Sequence, residues 1–499
     1  MTTGDRDKPF IWKFRHDGFF YIYDVNTNRI VEVEKPVFDM IDRSGEADSS
    51  TSTPGLRKYR LEIARAREEH GLFSSFRPGR TTMFLGCAED IKEYNGKYGI
   101  NQMLIELTRD CNLMCAYCPT SGKYAETGAR RSEMTPATCR KAVDFLCTGN
   151  NAEKSVISLY GGEPLSRFGL VRETVEYVKQ KYGGNKFSFS MTTNGTLLTK
   201  ETMKFLIEND FLLSLSLDGP QPVNDRYREY RNPGSGKSTF QTIKKNLELL
   251  KSLNGDYYSR NVLISSVLTP PFDRIDDIFD FFSNDKELCE IYAKGKIRTS
   301  IVDTEETTFL EDFGLEESMK ELNRLHDKMV ERLKGFLLDG RMHPLSFEKS
   351  TVYPVLKNLA KRPIKKLYNY AVPLGACHIG SRRLFVRTNG DFYICERSGD
   401  NYKIGHVDTG FDYERIAGYY RKLEEVLDDC KNCWAINHCE RCWVQLGNLD
   451  EFTGKKKEDF CSYNKGMIET AFKVYVELLK KDPDCLKILG NGAGTGTKD

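Results

Sequence analysis

Residues 111–118 read CNLMCAYC, three cysteines inside eight positions at C-x3-C-x2-C spacing. They follow NQMLIELT (101–108), an apolar-rich run that reads as a strand feeding a loop. The chain opens on MTTGDRDKPF, without the apolar core and small-residue cleavage site of a signal peptide. No run approaches the ~18 apolar residues of a bilayer span. The expectation is a cytoplasmic protein without a membrane partner, in a reducing compartment where clustered thiols hold metal or do chemistry. Three thiolates suit a cubane 4Fe–4S cluster with one iron left open. A structural zinc wants four protein ligands, and no fourth lies nearby in sequence.

Outward from this loop, strand-like and helix-like segments alternate. SVISLY (155–160) ends in GGEP, KFSFSMT (186–192) in TNGT, and FLLSLS (211–216) runs into LDGP. NVLISSVL (261–268) ends in TPP, and KIRTSIVD (296–303) closes the series. Six β-α repeats predict the α/β class, with a parallel sheet curled by right-handed crossovers into a partial (β/α)6 TIM-like barrel over 98–310. The informative loops all follow strand C-terminal ends, the chemical face of parallel barrels.

The flanks differ in pattern. FIWKF, FFYIY and RIVEVE alternate with period two between Gly, Asn and Asp clusters, which predicts a three-strand meander. Helices over KPVFDMIDR and LRKYRLEIARAREEHG, with a flexible linker at 43–55, complete a winged-helix-like module over 1–85. Residues 311–370 read as a helical connector, 371–465 as a cysteine-rich domain, and 466–499 as an amphipathic helix with a floppy tail. The distal cysteines run Cys377, Cys395, Cys430, Cys433, Cys439, Cys442 and Cys461. Only five residues separate the two CxxC pairs, against roughly 15–20 in a zinc ribbon. Cys87, Cys139, Cys147, Cys289 and Cys485 read as small buried hydrophobes. Lys plus Arg (74) balances Asp plus Glu (72), and a net charge of +2 gives no reason to expect nucleic acid.

CNLMCAYC followed by GGEP resembles the radical S-adenosylmethionine enzymes. The resemblance implies that Cys111, Cys115 and Cys118 ligate a 4Fe–4S cluster whose free iron chelates S-adenosylmethionine. Gly161, Gly162 and Glu163 match the motif for the methionine ammonium, Tyr117 would lie near the adenine, and Asn194, Ser216 and Asp218 are further cofactor contacts. The fifth strand lacks the glycine that family members often carry there for adenine. The distal pattern resembles the SPASM extension, which binds auxiliary 4Fe–4S clusters, although its usual last C-x3-C is C-x2-C here. By that resemblance Cys430, Cys433, Cys439 and Cys461 complete one cluster. Cys377, Cys395 and Cys442 hold a second with an open iron, unless His378, Glu396 or a distant cysteine closes it. That makes three 4Fe–4S clusters. Glu396 stands where related sulfatase-maturating enzymes carry a basic aspartate, and is the candidate base for a substrate thiol.

A small N-terminal module ahead of such a core resembles peptide-modifying enzymes, where it recognises the leader of a ribosomally made precursor. The leader would add as a strand beside RIVEVE. These features together imply a thioether-forming peptide maturase of the sactipeptide and ranthipeptide type, acting on a cysteine-rich precursor and reduced by a flavodoxin or ferredoxin. Carbon–carbon crosslinking, epimerisation and formylglycine formation are the alternatives within the class. A non-catalytic iron–sulfur carrier or peptide-binding scaffold is the alternative outside it.

Overall fold

The computed structural model describes residues 8–43, 54–83, 86–119, 132–183, 186–232, 236–302, 307–340, 352–361, 367, 369–372, 375 and 377–490. Most of the expected linker (44–53) and the expected tail (491–499) lie outside the described residues.

Three antiparallel strands open the chain: β1 (Ile11–His16), β2 (Phe19–Asp24) and β3 (Arg29–Val33), paired in the order β1-β2-β3. Asp17 (φ 48) and Gly18 (φ 80) are both left-handed, the geometry a two-residue hairpin selects because its twist matches the strands. Alternation then sends side chains to two faces. Ile11, Phe20, Ile22, Val31 and Val33 pack with Val37, Phe38 and Ile63 of the helices Lys35–Met40 and Pro54–His70. Trp12, Phe14 and Tyr23 face the other way, onto the C-terminal part of the chain. Trp12 stacks on Trp434 at 4.4 Å between ring centroids, and Tyr23 meets Phe472 at 4.7 Å. Both faces are therefore covered, which explains aromatics on both. A two-residue strand, β4 (Arg80–Thr81), follows.

The central strands are β5 (Gln102–Thr108), β6 (Ser155–Gly161), β7 (Phe187–Thr193), β8 (Leu212–Ser216), β9 (Val262–Leu268) and β10 (Ile297–Ile301). They pair in parallel in sequence order. Crossover helices such as Pro136–Cys147, Phe168–Tyr182 and Thr239–Leu253 lay Val143, Val175 and Leu247 on the outer face. Ile157, Leu159 and Met191 point into that core, so Ser158 and Ser190 point to the inner face. The inner face is mixed: the Ser158 and Ser190 hydroxyls lie 2.6 Å apart, and Leu104, Tyr160, Phe385 and Tyr393 form an apolar cluster beside them.

Among the described residues the sheet does not close on itself. A further two-residue strand, β11 (Tyr370–Ala371), pairs with β4. β12 (Arg383–Val386) then adds in parallel to the outer edge of β5, with Arg383 opposite Gln102, and β13 (Asp391–Tyr393), β14 (Lys403–His406) and β15 (Gly410–Phe411) continue antiparallel. The result is one ten-stranded mixed sheet. A single 28-residue helix, Gly454–Lys481, runs across the boundary expected at 465, so Cys461 is helical. Its first half is polar and gave no apolar period to read. Of the scattered cysteines, Cys139 and Cys485 are buried, as expected; Cys87, Cys147 and Cys289 are only half-buried, and Cys87 caps the helix Ala88–Tyr98. No helix among the described residues is long and apolar enough to cross a membrane.

Candidate active site

The cysteine loop leaves the end of β5 and is zipped to residues 227–231. Met114 N donates to Glu229 O (2.8 Å), Ala116 N to Tyr227 O (2.9 Å) and Arg231 N to Asn112 O (3.0 Å). The Arg231 guanidinium adds a 2.6 Å contact to Asp110. Cys115 and Tyr117 turn inward, packed with Leu113, Val302, Phe309 and Leu310. Burial pushes the Cys111 thiol up to about 11 and the Cys115 thiol up to about 12. The Arg228 guanidinium opposes that rise at Cys115, while the neighbouring thiols Cys111 and Cys118 add to it.

The GGEP loop presses against the same strand end. A Cβ on Gly161 (φ +139) would stand 2.2 Å from Thr108 O, and one on Gly162 2.2 Å from Asp110 O. Glycine is needed there so that β6 can approach β5. The Gly162 amide donates to Thr108 O (2.7 Å) and the Glu163 amide to Asp110 O (2.9 Å), so both are spent on the end of β5 and the residues just after it. The Glu163 carboxylate is wholly buried and accepts from Leu165 N (3.0 Å), the Thr193 hydroxyl (2.7 Å) and Asn194 N (2.8 Å). Burial raises its pKa, against those three donors. A carboxylate has about four acceptor sites, so one remains. Asn194 in turn donates to Asn112 (2.9 Å) and lies 3.6 Å from the Cys111 sulfur.

Asp218 is similarly engaged. Its Oδ2 accepts from the Tyr117 hydroxyl (2.6 Å) and Arg228 Nε (2.8 Å), and its Oδ1 from Arg228 (3.1 Å) and Val267 N (2.9 Å). All four acceptor positions are filled, so in this structure the carboxylate braces the cysteine loop. Arg228 is 7% exposed and its guanidinium lies 5.6 Å from the centre of the Tyr117 ring. Sequence reasoning passed over Arg228, which sits in a polar loop without a motif. Ser216 ends β8 half-buried, in register with Ser265.

The distal cysteines divide. Cys430, Cys433, Cys439 and Cys461 line one cavity of about 620 Å³, together with Arg441, Lys457 and Lys465. Burial raises the Cys433, Cys439 and Cys461 thiols, and each feels the charge of other members of the set. Cys442 is not among the lining residues. It lies near Cys395, whose thiol burial and the Glu396 carboxylate push up to about 12. Cys377 is tied to the same region through its carbonyl, which accepts from Trp443 Nε1 at 2.8 Å. Glu396 is held by Arg383 through two contacts of 2.9 and 3.2 Å. Arg383 also reaches Gln102 (3.2 Å), and Gln102 reaches Ser158 (2.7 Å), a polar chain from the inner face to the Cys395 loop. His378 packs on Tyr94 at 4.5 Å.

Among the described residues no three His, Cys, Asp or Glu side chains close on a point the size of a single ion. What the loops present is donor chemistry: soft thiols in three sets, buried or half-buried except for the exposed Cys377. That donor set fits iron–sulfur clusters, whose iron binds thiolate and so releases the thiol proton.

Only the first of these sets, Cys111, Cys115 and Cys118, falls within a family match. A family model described as the Radical SAM superfamily matches residues 105–282, from within β5 into the helix Ile275–Asn284. Residues 105–282 are thus a radical SAM domain, the class that the C-x3-C-x2-C loop implied. Within that class the chain is similar to the radical SAM cyclopropyl synthase TigE of Paramaledivibacter caminithermalis, 23% identical over 68% of this chain and 67% of that one. It is also similar to a cysteine-type anaerobic sulfatase-maturating enzyme of Clostridium novyi, 27% identical over 67% of this chain and 85% of that one. The solved structure of native anSMEcpe with bound AdoMet shares the fold, with a TM-score of 0.55 at 19% identity over 79% of this chain and 99% of that one.

Proposed function

We propose that the chain is a radical S-adenosylmethionine maturase that installs thioether links, cysteine sulfur to carbon, in a ribosomally made, cysteine-rich peptide. The observation that carries this reading is the division of the distal cysteines. Four line one cavity, and Cys395 and Cys442 lie together outside it with Cys377 tethered alongside. Three thiolates leave one iron of a cubane open to a substrate sulfur. Cys111, Cys115 and Cys118 would hold the catalytic cluster, and Tyr117, Gly161, Gly162, Glu163, Asn194, Ser216 and Asp218 would shape the cofactor pocket. When bound, that cluster and S-adenosylmethionine supply a 5′-deoxyadenosyl radical that abstracts hydrogen from carbon. Tyr227, Phe309, Leu310 and Phe313 cover the loop and keep water from the reacting face. Glu396, oriented by Arg383, would take the proton of the substrate thiol.

Anaerobic co-expression with a cysteine-rich precursor tests the reading by mass spectrometry. The expected product has lost two hydrogens per link and resists thiol alkylation. A product whose thiols all alkylate overturns thioether formation. The likeness to a cyclopropyl synthase favours a second reading, modification at carbon alone, for which hydrogens would be lost with every thiol still reactive.

Leader recognition is proposed at β3, which among the described residues pairs with β2 alone. A groove of about 310 Å³ runs beside it, lined by Val31, Val33, Val37, Ile63, Ala66 and Leu72 among others. An added strand would gain main-chain hydrogen bonds from the edge and apolar pockets from the groove. Deleting the module would strip the cover from Trp434 and Phe472, so a point change is the cleaner probe. Ala66→Arg, filling the groove, is expected to weaken leader binding by about tenfold or more, about 1.4 kcal/mol, while leaving cofactor cleavage without peptide unchanged. Unaltered affinity in a binding titration would rule out this groove.

A further inference from the structure

The four-thiol cavity contains a cation that no carboxylate among the described residues balances. Arg441 lies between Cys439 and Cys442 in sequence, is 3% exposed, and lines the cavity with Cys430, Cys433, Cys439 and Cys461. Its guanidinium donates to Cys439 O at 3.2 Å, and no carboxylate among the described residues forms an ion pair with it. The backbone is held in place by close approach of 375: a Cβ on Gly375 would stand 2.6 Å from Arg441 N. An unpaired charge so deeply buried is costly unless something anionic joins it. The cavity is also lined by three carboxylates, none of them ion-paired with Arg441: Glu425 and Asp429 pair with lysines, and Glu458 is exposed. Lys457 pairs with Asp429 (3.1 Å) and Lys422 with Glu425 (3.4 Å). Arg441 and the half-buried Lys465 line the cavity with the thiols, and both oppose the burial-driven rise of Cys433 and Cys461, as Lys457 also does at Cys461.

We infer that Arg441 is a positioning residue that favours the one-electron-reduced state of the iron–sulfur cluster held by Cys430, Cys433, Cys439 and Cys461, raising its potential so that it serves as an electron acceptor. The inference rests on the ligand set proposed above. One-electron reduction adds one negative charge to a cluster that four thiolates already make anionic, and no proton moves. A fixed guanidinium in the same low-dielectric cavity stabilises the more negative state more. Lysine keeps the charge at this place, and glutamine removes it.

The test uses reconstituted full-length protein titrated anaerobically with dithionite, the electron donor, and followed by electron paramagnetic resonance. Wild type, Arg441→Gln, Arg441→Lys and Lys465→Gln are compared after iron and sulfide are counted. Wild type should carry about 12 iron atoms per chain, three cubanes' worth. Arg441→Gln should move one auxiliary signal to a more negative potential, Arg441→Lys should leave it near wild type, and Lys465→Gln should move it less in the same direction. An unshifted signal in Arg441→Gln at full iron content overturns the inference. So does a shift in Arg441→Lys as large as that in Arg441→Gln. If Arg441→Gln does not load its clusters, an unshifted signal in Lys465→Gln overturns it instead. About four iron atoms in wild type would overturn the auxiliary ligand set itself, a different failure.

Discussion

Cys115→Ala is expected to release no 5′-deoxyadenosine above background from S-adenosylmethionine under strong reductant, and to lose the iron of one cubane, about four atoms. The expectation follows from where this thiol sits. It is 9% exposed, held between Leu113 and Tyr117 on a loop zipped to 227–231, with its proton retained to about pH 12 by burial. Such a thiol is a poor nucleophile and an unreactive surface for oxidants; metal binding is the chemistry that draws off its proton. Removing one sulfur from a packed loop costs on the order of 1 kcal/mol of packing, well within what a large fold absorbs. Loss of turnover would therefore report the lost ligand and not a lost fold. Chromatography of the nucleoside with an iron assay on the same sample decides it: nucleoside at the wild-type rate would sink the three-cysteine assignment.

The second large effect concerns Arg228. Arg228→Met should destabilise the cysteine loop by about 3–5 kcal/mol, because it leaves the Asp218 carboxylate buried without its cation. Asp218 is 2% exposed and keeps only the Tyr117 hydroxyl and the Val267 amide as donors once the guanidinium is gone. Tyr117 would lose the cation beside its ring as well. Hydrogen exchange at the 111–118 amides measures the loss directly, and pairing Arg228→Met with Asp218→Asn should recover part of it, since the second change removes the stranded charge. Exchange within a factor of about five of wild type, under 1 kcal/mol, would mean that the pair does not hold the loop.

Much of this architecture was readable in the linear chain because it is encoded in short-range periodicity. Period-two runs split by Asp17-Gly18 and DVNTN make the N-terminal hairpins. Strand-like runs alternating with amphipathic ones make the six parallel strands, since each crossover must bury one helical face. The triad loop is local too: three cysteines in eight residues need no partner from elsewhere to be recognised.

The remainder depends on residues that meet only after folding. Nothing near Arg383 signals that β12 will extend the sheet from β5, 281 residues earlier, and carry Glu396 with it. Trp12 meets Trp434 and His438 meets Asn28 across more than 400 residues, joining the N-terminal sheet to the four-cysteine loop. Arg228 and Arg441 look like ordinary surface cations in the sequence, and only burial makes them electrostatic features. Local propensity sets which segments become strands and helices, whereas the partner of a buried charge or ring is set by the packing of distant elements, whose cost and reward have no trace in neighbouring residues.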